Sequence, residues 1–150
     1  MLLDKFDYVL LKALQTNSQM PLRELSEIVH LSTASVQRRV QKLKEEGYIQ
    51  STVAILEPNK LDKVITILVE VQVEKTQTVD LQLLKESFSG SEIQQCYYVT
   101  GEADFLLVML VPNMETFQEI CDRLFHNNSN VKSFRTMVAL DRIKVTLDVL

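Results

Sequence analysis

The residues whose types and spacing could do chemistry gather between Ser32 and Lys44. This stretch holds Arg38, Arg39, Lys42 and Lys44 and no acid. Four such cations belong either to a solvated helix face or to an anion-binding one. A solubilising face usually interleaves Glu for i,i+4 pairs, and none comes before Glu45. On a helix turning about 100° per residue, Val36, Val40 and Leu43 point one way. Ala34, Ser35, Arg38, Gln41 and Lys42 point the other, with Gln37 and Arg39 on the flanks. Small residues near the start let such a helix approach base edges, and Arg and Gln can pair with guanine and adenine. The cations further along can neutralise phosphates. Ser32, Thr33, Ala34, Ser35, Gln37, Arg38, Arg39, Gln41 and Lys42 therefore make a candidate surface for double-stranded DNA.

Other chemistry finds little support. Three glycines, Gly47, Gly90 and Gly101, leave no room for a GxGxxG loop or a P-loop. Cys96 and Cys121 lack CxxC spacing, which argues against a zinc ribbon or redox motif and fits a reducing cytoplasm. No Ser/His/Asp, Cys/His or paired-carboxylate constellation stands out, so no catalytic residue, metal or cofactor is expected. The 150 residues, 46% hydrophobic and 24% charged, have the balance of a globular protein with a sizeable core. No apolar run approaches about 18 residues, so no membrane span is expected. The opening MLLDKFD lacks the basic start of a secretory signal. The net charge of −4 hides an asymmetry: residues 1–50 carry seven Lys/Arg and six Asp/Glu, residues 51–150 nine and fourteen. A nucleic-acid footprint is a local patch, and a mildly acidic chain does not oppose it.

Three helices must position the basic stretch. Asp4 and Asp7 have capping-box spacing, followed by Phe6, Leu10, Ala13 and Leu14 at helical intervals. Asn17 and Ser18 end that helix, and Pro21 suits the first turn of the next. The second is short, with Leu22, Leu25, Ile28 and Val29 inward. Ser32 caps the third, and Gly47 ends it. Short helix, tight turn and longer basic helix make a helix-turn-helix. Tyr48–Leu56 reads as a strand, giving the unit a winged-helix-like character. The turn Glu57-Pro58-Asn59-Lys60 then marks a hinge. The division expected is residues 1–50, a strand and linker at 51–61, and a second domain at 62–150.

The second domain alternates its elements. Ile65, Ile67, Val69, Val71 and Val73 alternate with more polar positions, a half-buried strand. Val79–Phe88 reads as a helix with Leu83, Leu84 and Phe88 inward. Strands follow at Ile93–Thr100 and Phe105–Val111, the latter apolar enough to be central. Past Pro112-Asn113 comes a helix with Phe117, Ile120, Cys121, Leu124 and Phe125 as its stripe, then a last strand, Phe134–Val145. The order βαββαβ is the ferredoxin-like arrangement: an antiparallel four-stranded sheet with both helices on one face, an α+β domain. The bare face, assigned Leu68, Tyr97, Tyr98 and Met109, is too apolar to stay open, which points to sheet-to-sheet dimerisation.

The chain closely resembles the leucine-responsive regulator/AsnC (Lrp/AsnC) family of prokaryotic transcription factors. Leu3-Asp4, Asp7, Leu14-Gln15, Asn17, Glu24-Leu25, Leu31-Ser32, Val36, Arg39, Leu43, Gly47 and Ile49 carry the likeness at the N-terminus. Gly101-Glu102-Ala103-Asp104-Phe105 and the strand around Thr136, Val138 and Leu140 carry it further on. His30 departs from the glycine usual in the family's turn; histidine tolerates left-handed backbone better than most residues. The resemblance implies a homodimer through the ferredoxin-like domains, assembling to octamers, and a small amino-acid effector. Carried over, the effector site comprises Gly101, Glu102, Ala103, Asp104, Met114, Met137, Val138 and Ala139. Amides of the glycine turn would hold the effector carboxylate, Asp104 its ammonium, and the Met and Val positions an apolar side chain such as leucine or methionine. Two other readings share the layout: a siroheme decarboxylase-like enzyme acting on a tetrapyrrole, and an interaction protein with a degenerate helix-turn-helix. The first would want converging histidines, and the chain has only His30 and His126. The second sits poorly with Ser35, Arg38 and Lys42.

Overall fold

A computed structural model describes residues 2–74 and 81–150. The chain divides into two compact units: Met1–Ile55 with Thr146–Leu150, and Leu56–Val145. The break falls between Ile55 and Leu56, and the last five residues go with the first unit.

The first unit is built on three helices, α1 (Lys5–Thr16), α2 (Leu22–Val29) and α3 (Thr33–Glu45). The Asp4 carboxylate accepts from the amides of Phe6 and Asp7 at 2.8 and 3.0 Å, and Asp7 accepts from the Asp4 amide at 3.1 Å. This reciprocal box fixes where α1 begins. Helix α2 starts one residue after Pro21 and ends on His30, left-handed at φ 54° and ψ 42°. The Ser32 hydroxyl caps α3 by accepting from the Ser35 amide at 3.2 Å. At its far end Gly47, at φ 76°, lets the amides of Gly47 and Tyr48 close on the carbonyls of Lys44 and Leu43. Leu10, Leu25, Val29, Val36 and Leu43 form the buried centre, with Phe6, Ala13, Leu14 and Val40 packed around it. Leu22 and Ile28, expected inside, are 36% and 46% exposed. They lie at the margins of the α2 stripe, beyond the reach of an eight-residue helix that buries only Leu25 and Val29.

Tyr48–Leu56 forms no strand; Val53 and Ile55 are 72% and 95% exposed. A strand exists only through its ladder, and among the described residues no ladder forms along this segment. The tail closes on α1 instead. The Gln15 carboxamide accepts from the Val149 amide at 2.7 Å and donates to the Leu150 carbonyl at 3.0 Å.

The second unit is an antiparallel sheet of β1 (Ile65–Val73), β2 (Ile93–Tyr98), β3 (Phe105–Val111) and β4 (Val131–Val138), in the order β2-β3-β1-β4. Helices α4 (Leu81–Ser87) and α5 (Met114–Cys121) supply Leu84, Phe117, Ile120 and Cys121 to the same core as the inward rows of β1 and β3. A π-helical turn, Asp122–His126, extends α5 and buries Leu124 and Phe125. This is the expected ferredoxin-like α+β arrangement. Of the expected helix Val79–Phe88, Val79 and Asp80 lie outside the described residues. Leu83 is exposed, because α4 turns Leu84 and Phe88 inward and leaves Leu83 on its outer flank.

Met109 also departs from expectation, being fully buried. An all-apolar strand does not reveal its faces, and register decides: Met109 pairs with Ile67 and faces the helices. Tyr98 pairs with Phe105, its ring 5.0 Å away, on the helix side as well. The bare face instead presents Leu68, Leu106, Val108, Leu110, Tyr97 and Met137. Strand β4 begins at Val131 and stops at Val138, seven residues before the expected end. The Ala139 amide makes the final bond, to the Thr66 carbonyl at 2.9 Å, where β1 itself begins.

Candidate nucleic-acid interface and effector site

Helix α3 presents its outward face much as its sequence requires. Ser32, Thr33, Ala34, Gln37, Arg38, Gln41 and Lys42 are exposed, and Ser35 is half-buried beside the cap. Gln41 donates to Glu45 at 2.9 Å along the helix. Arg38 and Lys42 form no ion pair among the described residues. Arg39 is different, being part-buried and engaged by side chains of α1. Its Nη1 lies 2.7 Å from Asp7 Oδ1 and 2.9 Å from Asp4 Oδ2, and its guanidinium stands 5.5 Å from the Phe6 ring centroid. Arg39 clasps the capping box of α1 and is engaged inside its own unit. The bond to Asp7 raises its pKa above the usual arginine range, while the Asp7 amide, followed by Arg39, lowers that of Asp4.

The eight expected effector residues fall into two groups. Gly101, at φ 128°, makes the turn that lays Glu102, Ala103 and Asp104 before β3. The Glu102 carbonyl accepts from Gln72 at 3.0 Å. Asp104 bolts the strand ends: its carboxylate accepts from the Val73 amide at 2.9 Å, and its own amide bonds the Val71 carbonyl at 2.9 Å. One oxygen of the expected ammonium partner is thus already engaged, at the bulge between Gln72 and Val73. Met114, Met137 and Val138 are exposed, and Ala139 is half-buried. The pairs Val71–Phe105 and Ile67–Val138 set the turn and the end of β4 four β1 residues apart, about 13 Å at roughly 3.3 Å per residue. Met114 follows Val111, which pairs with Ile65, so it joins the β4 end. One chain does not bring the two groups together.

The sequence reading missed a cleft of about 140 Å³ near the turn, lined by Glu70, Gln72, Glu102, Ala103, Ser133, Phe134 and Arg135. Arg135 donates to Glu70 at 2.8 Å and Ser133 to Gln72 at 2.8 Å. Only the β1–β4 register, invisible in a linear sequence, puts these residues side by side. The two histidines are each accounted for locally. His30 ends α2, and His126 lies 2.8 Å from Asp122 and against Phe134.

Residues 3–44 match the AsnC-type helix-turn-helix domain, and residues 66–149 match the Lrp/AsnC ligand-binding domain. The chain belongs to the Lrp/AsnC family. A Sinorhizobium fredii HTH-type transcriptional regulator is 37% identical to it over 98% of this chain and 88% of the relative. The leucine-responsive regulatory protein of Escherichia coli is 29% identical over 95% and 87%. Among solved structures, an AsnC family regulator from Agrobacterium tumefaciens superposes with a TM-score of 0.91 at 28% identity, covering 99% of this chain and 97% of that one. A Neisseria meningitidis transcriptional regulator in complex with L-methionine superposes equally well at 26% identity and the same coverage. As an Lrp/AsnC member, the chain is a transcriptional regulator that joins a helix-turn-helix to a ligand-binding domain.

Proposed function

We propose that this regulator binds double-stranded DNA through the outward face of α3 and adjusts that binding to an apolar amino acid. The observation that carries the DNA half is the exposed, acid-free row Ala34, Gln37, Arg38, Gln41 and Lys42, with half-buried Ser35 among them, on a helix whose other side is fixed in the core. The effector half rests on the apolar character of Met114, Met137, Val138 and Ala139, and on the Neisseria neighbour solved with L-methionine. A charged side chain there would be left without a partner. Because turn 101–104 and the β4 end are separated in one chain, two copies are needed to close one site around an effector. The bare sheet face, with Leu68, Leu106, Val108 and Leu110 half-buried, supports pairing into dimers, and their assembly into octamers follows only the family resemblance. Titration calorimetry with leucine, methionine, lysine and aspartate tests the effector. Binding of leucine or methionine with silence from lysine and aspartate is expected, and the reverse pattern would refute the apolar site.

A further inference from the structure

Beside the clasp of Arg39 lies a hollow of about 330 Å³, lined by Asp7 of α1 and by Arg38, Arg39 and Lys42 of α3. Its charge is lopsided. Asp7 is only 3% exposed, and its two oxygens already accept from Arg39 and from the Asp4 amide. Arg38 and Lys42 have no such partner among the described residues. The Phe6 ring draws a further cation to this end of α1, with Lys5 Nζ at 5.0 Å from its centroid. In the lining itself Arg38, Arg39 and Lys42 stand against the single carboxylate of Asp7. The position on the helix matters equally. Arg38 and Lys42, four residues apart, line the hollow together with Arg39. Gln37 and Gln41 lie about 100° further round the axis, away from it.

We propose that this hollow seats one phosphate of the DNA backbone, held by Arg38 and Lys42 with the fixed Arg39 guanidinium behind them. The inference rests on the DNA-binding reading above and divides its labour. Arg38 becomes a backbone anchor, and base reading falls to Ala34, Gln37 and Gln41. Two flexible cations around a concavity suit a phosphate, which asks for charge. A base edge asks instead for a directed pair of donors and acceptors. Asp4 and Asp7 keep Arg39 in place, so the back of the seat is set before DNA arrives.

Equilibrium binding of the full chain to a fragment of its own promoter and to a scrambled fragment, from about 50 to about 200 mM salt, tests the division. For Arg38→Gln, and separately Lys42→Gln, affinity for both fragments should fall by the same factor. The promoter-to-scrambled ratio should hold, and the slope of log affinity against log salt should shrink by about 0.9. Gln41→Ala should instead lower the ratio roughly tenfold while leaving the slope alone. The seat is overturned if Arg38→Gln lowers the ratio with scrambled binding and slope unchanged, since Arg38 would then read a base. Failure of the unaltered protein to bind either fragment at low salt removes the DNA reading itself, and the seat with it. Inorganic phosphate tests the other source of the same chemistry. If it raises the melting temperature of the unaltered chain but not of Arg38→Gln, against chloride at equal ionic strength, while Arg38→Gln leaves DNA affinity and its salt slope unchanged, the hollow holds a free anion and not the backbone.

Discussion

Asp7 is the buried charge on which the DNA-binding unit depends. Replacing it with Ala removes the acceptor of Arg39 Nη1 and of the Asp4 amide together, and should cost about 2 kcal/mol in chemical denaturation. Asp4→Ala removes the cap and should lower the denaturant midpoint by less than Asp7→Ala does. Acid should act on the same chemistry. Asp4 and Glu92 both have folded pKa values below their ordinary 3.8 and 4.5, Asp4 chiefly through the Asp7 amide and Glu92 chiefly through Arg123. A depressed carboxylate contributes stability that is complete above its unfolded value and is lost as pH falls through the folded one. Denaturant midpoints should therefore hold steady down to about pH 5 and drop below it, and Glu92→Gln should flatten part of that drop. Asp104 allows a sharper test. If its carboxylate meets an effector ammonium, Asn and Ala should both abolish the amino-acid response. If it serves only to hold Val73, Asn should retain the response, since its carbonyl still accepts that amide. The wheel of α3 was legible in the sequence; the fate of Arg39 was not, because its partners stand more than thirty residues upstream and a periodicity knows only its own helix.

At the scale of elements, backbone strain gives the clearest expectation. His30 holds a left-handed conformation that costs side-chain-bearing residues, and His30→Gly should raise thermal stability by about 0.5–1 kcal/mol. Gly101→Ala should do the opposite, by about 1–3 kcal/mol, because φ 128° is closed to L residues. Helices and the turn between them were readable because caps, stripes and terminators are local: Asp4, Ser32 and Gly47 each act where they stand. Strands were readable only in part. Ile65–Val73 and Phe105–Val111 emerge with their observed bounds. Tyr48–Leu56 and the end of the expected Phe134–Val145 carry the same β-branched pattern, yet no ladder forms there. Pairing belongs to two segments at once, and a residue pattern describes one. The effector group suffers likewise: its eight positions were named from a family likeness, and only register shows that they divide between two ends of the sheet.

At the scale of the whole molecule, the bare sheet face should govern assembly. Leu106→Lys, pointing from β3 toward that face, should convert a dimer or multiple of dimers into monomers by light scattering, with little change in the circular dichroism of the chain. A stable monomer for the unaltered protein at micromolar concentration would refute the proposed pairing. The bracket of Gln15 around Val149 and Leu150 bears on a different matter, the building of sensors. A hybrid regulator made by joining this helix-turn-helix to a foreign ligand-binding domain at Ile55 would leave Gln15 facing whatever tail the donor happened to bring. Because Thr146–Leu150 belongs with the first unit, the interchangeable cassette is Leu56–Val145, inserted between two junctions and returned to its original ending.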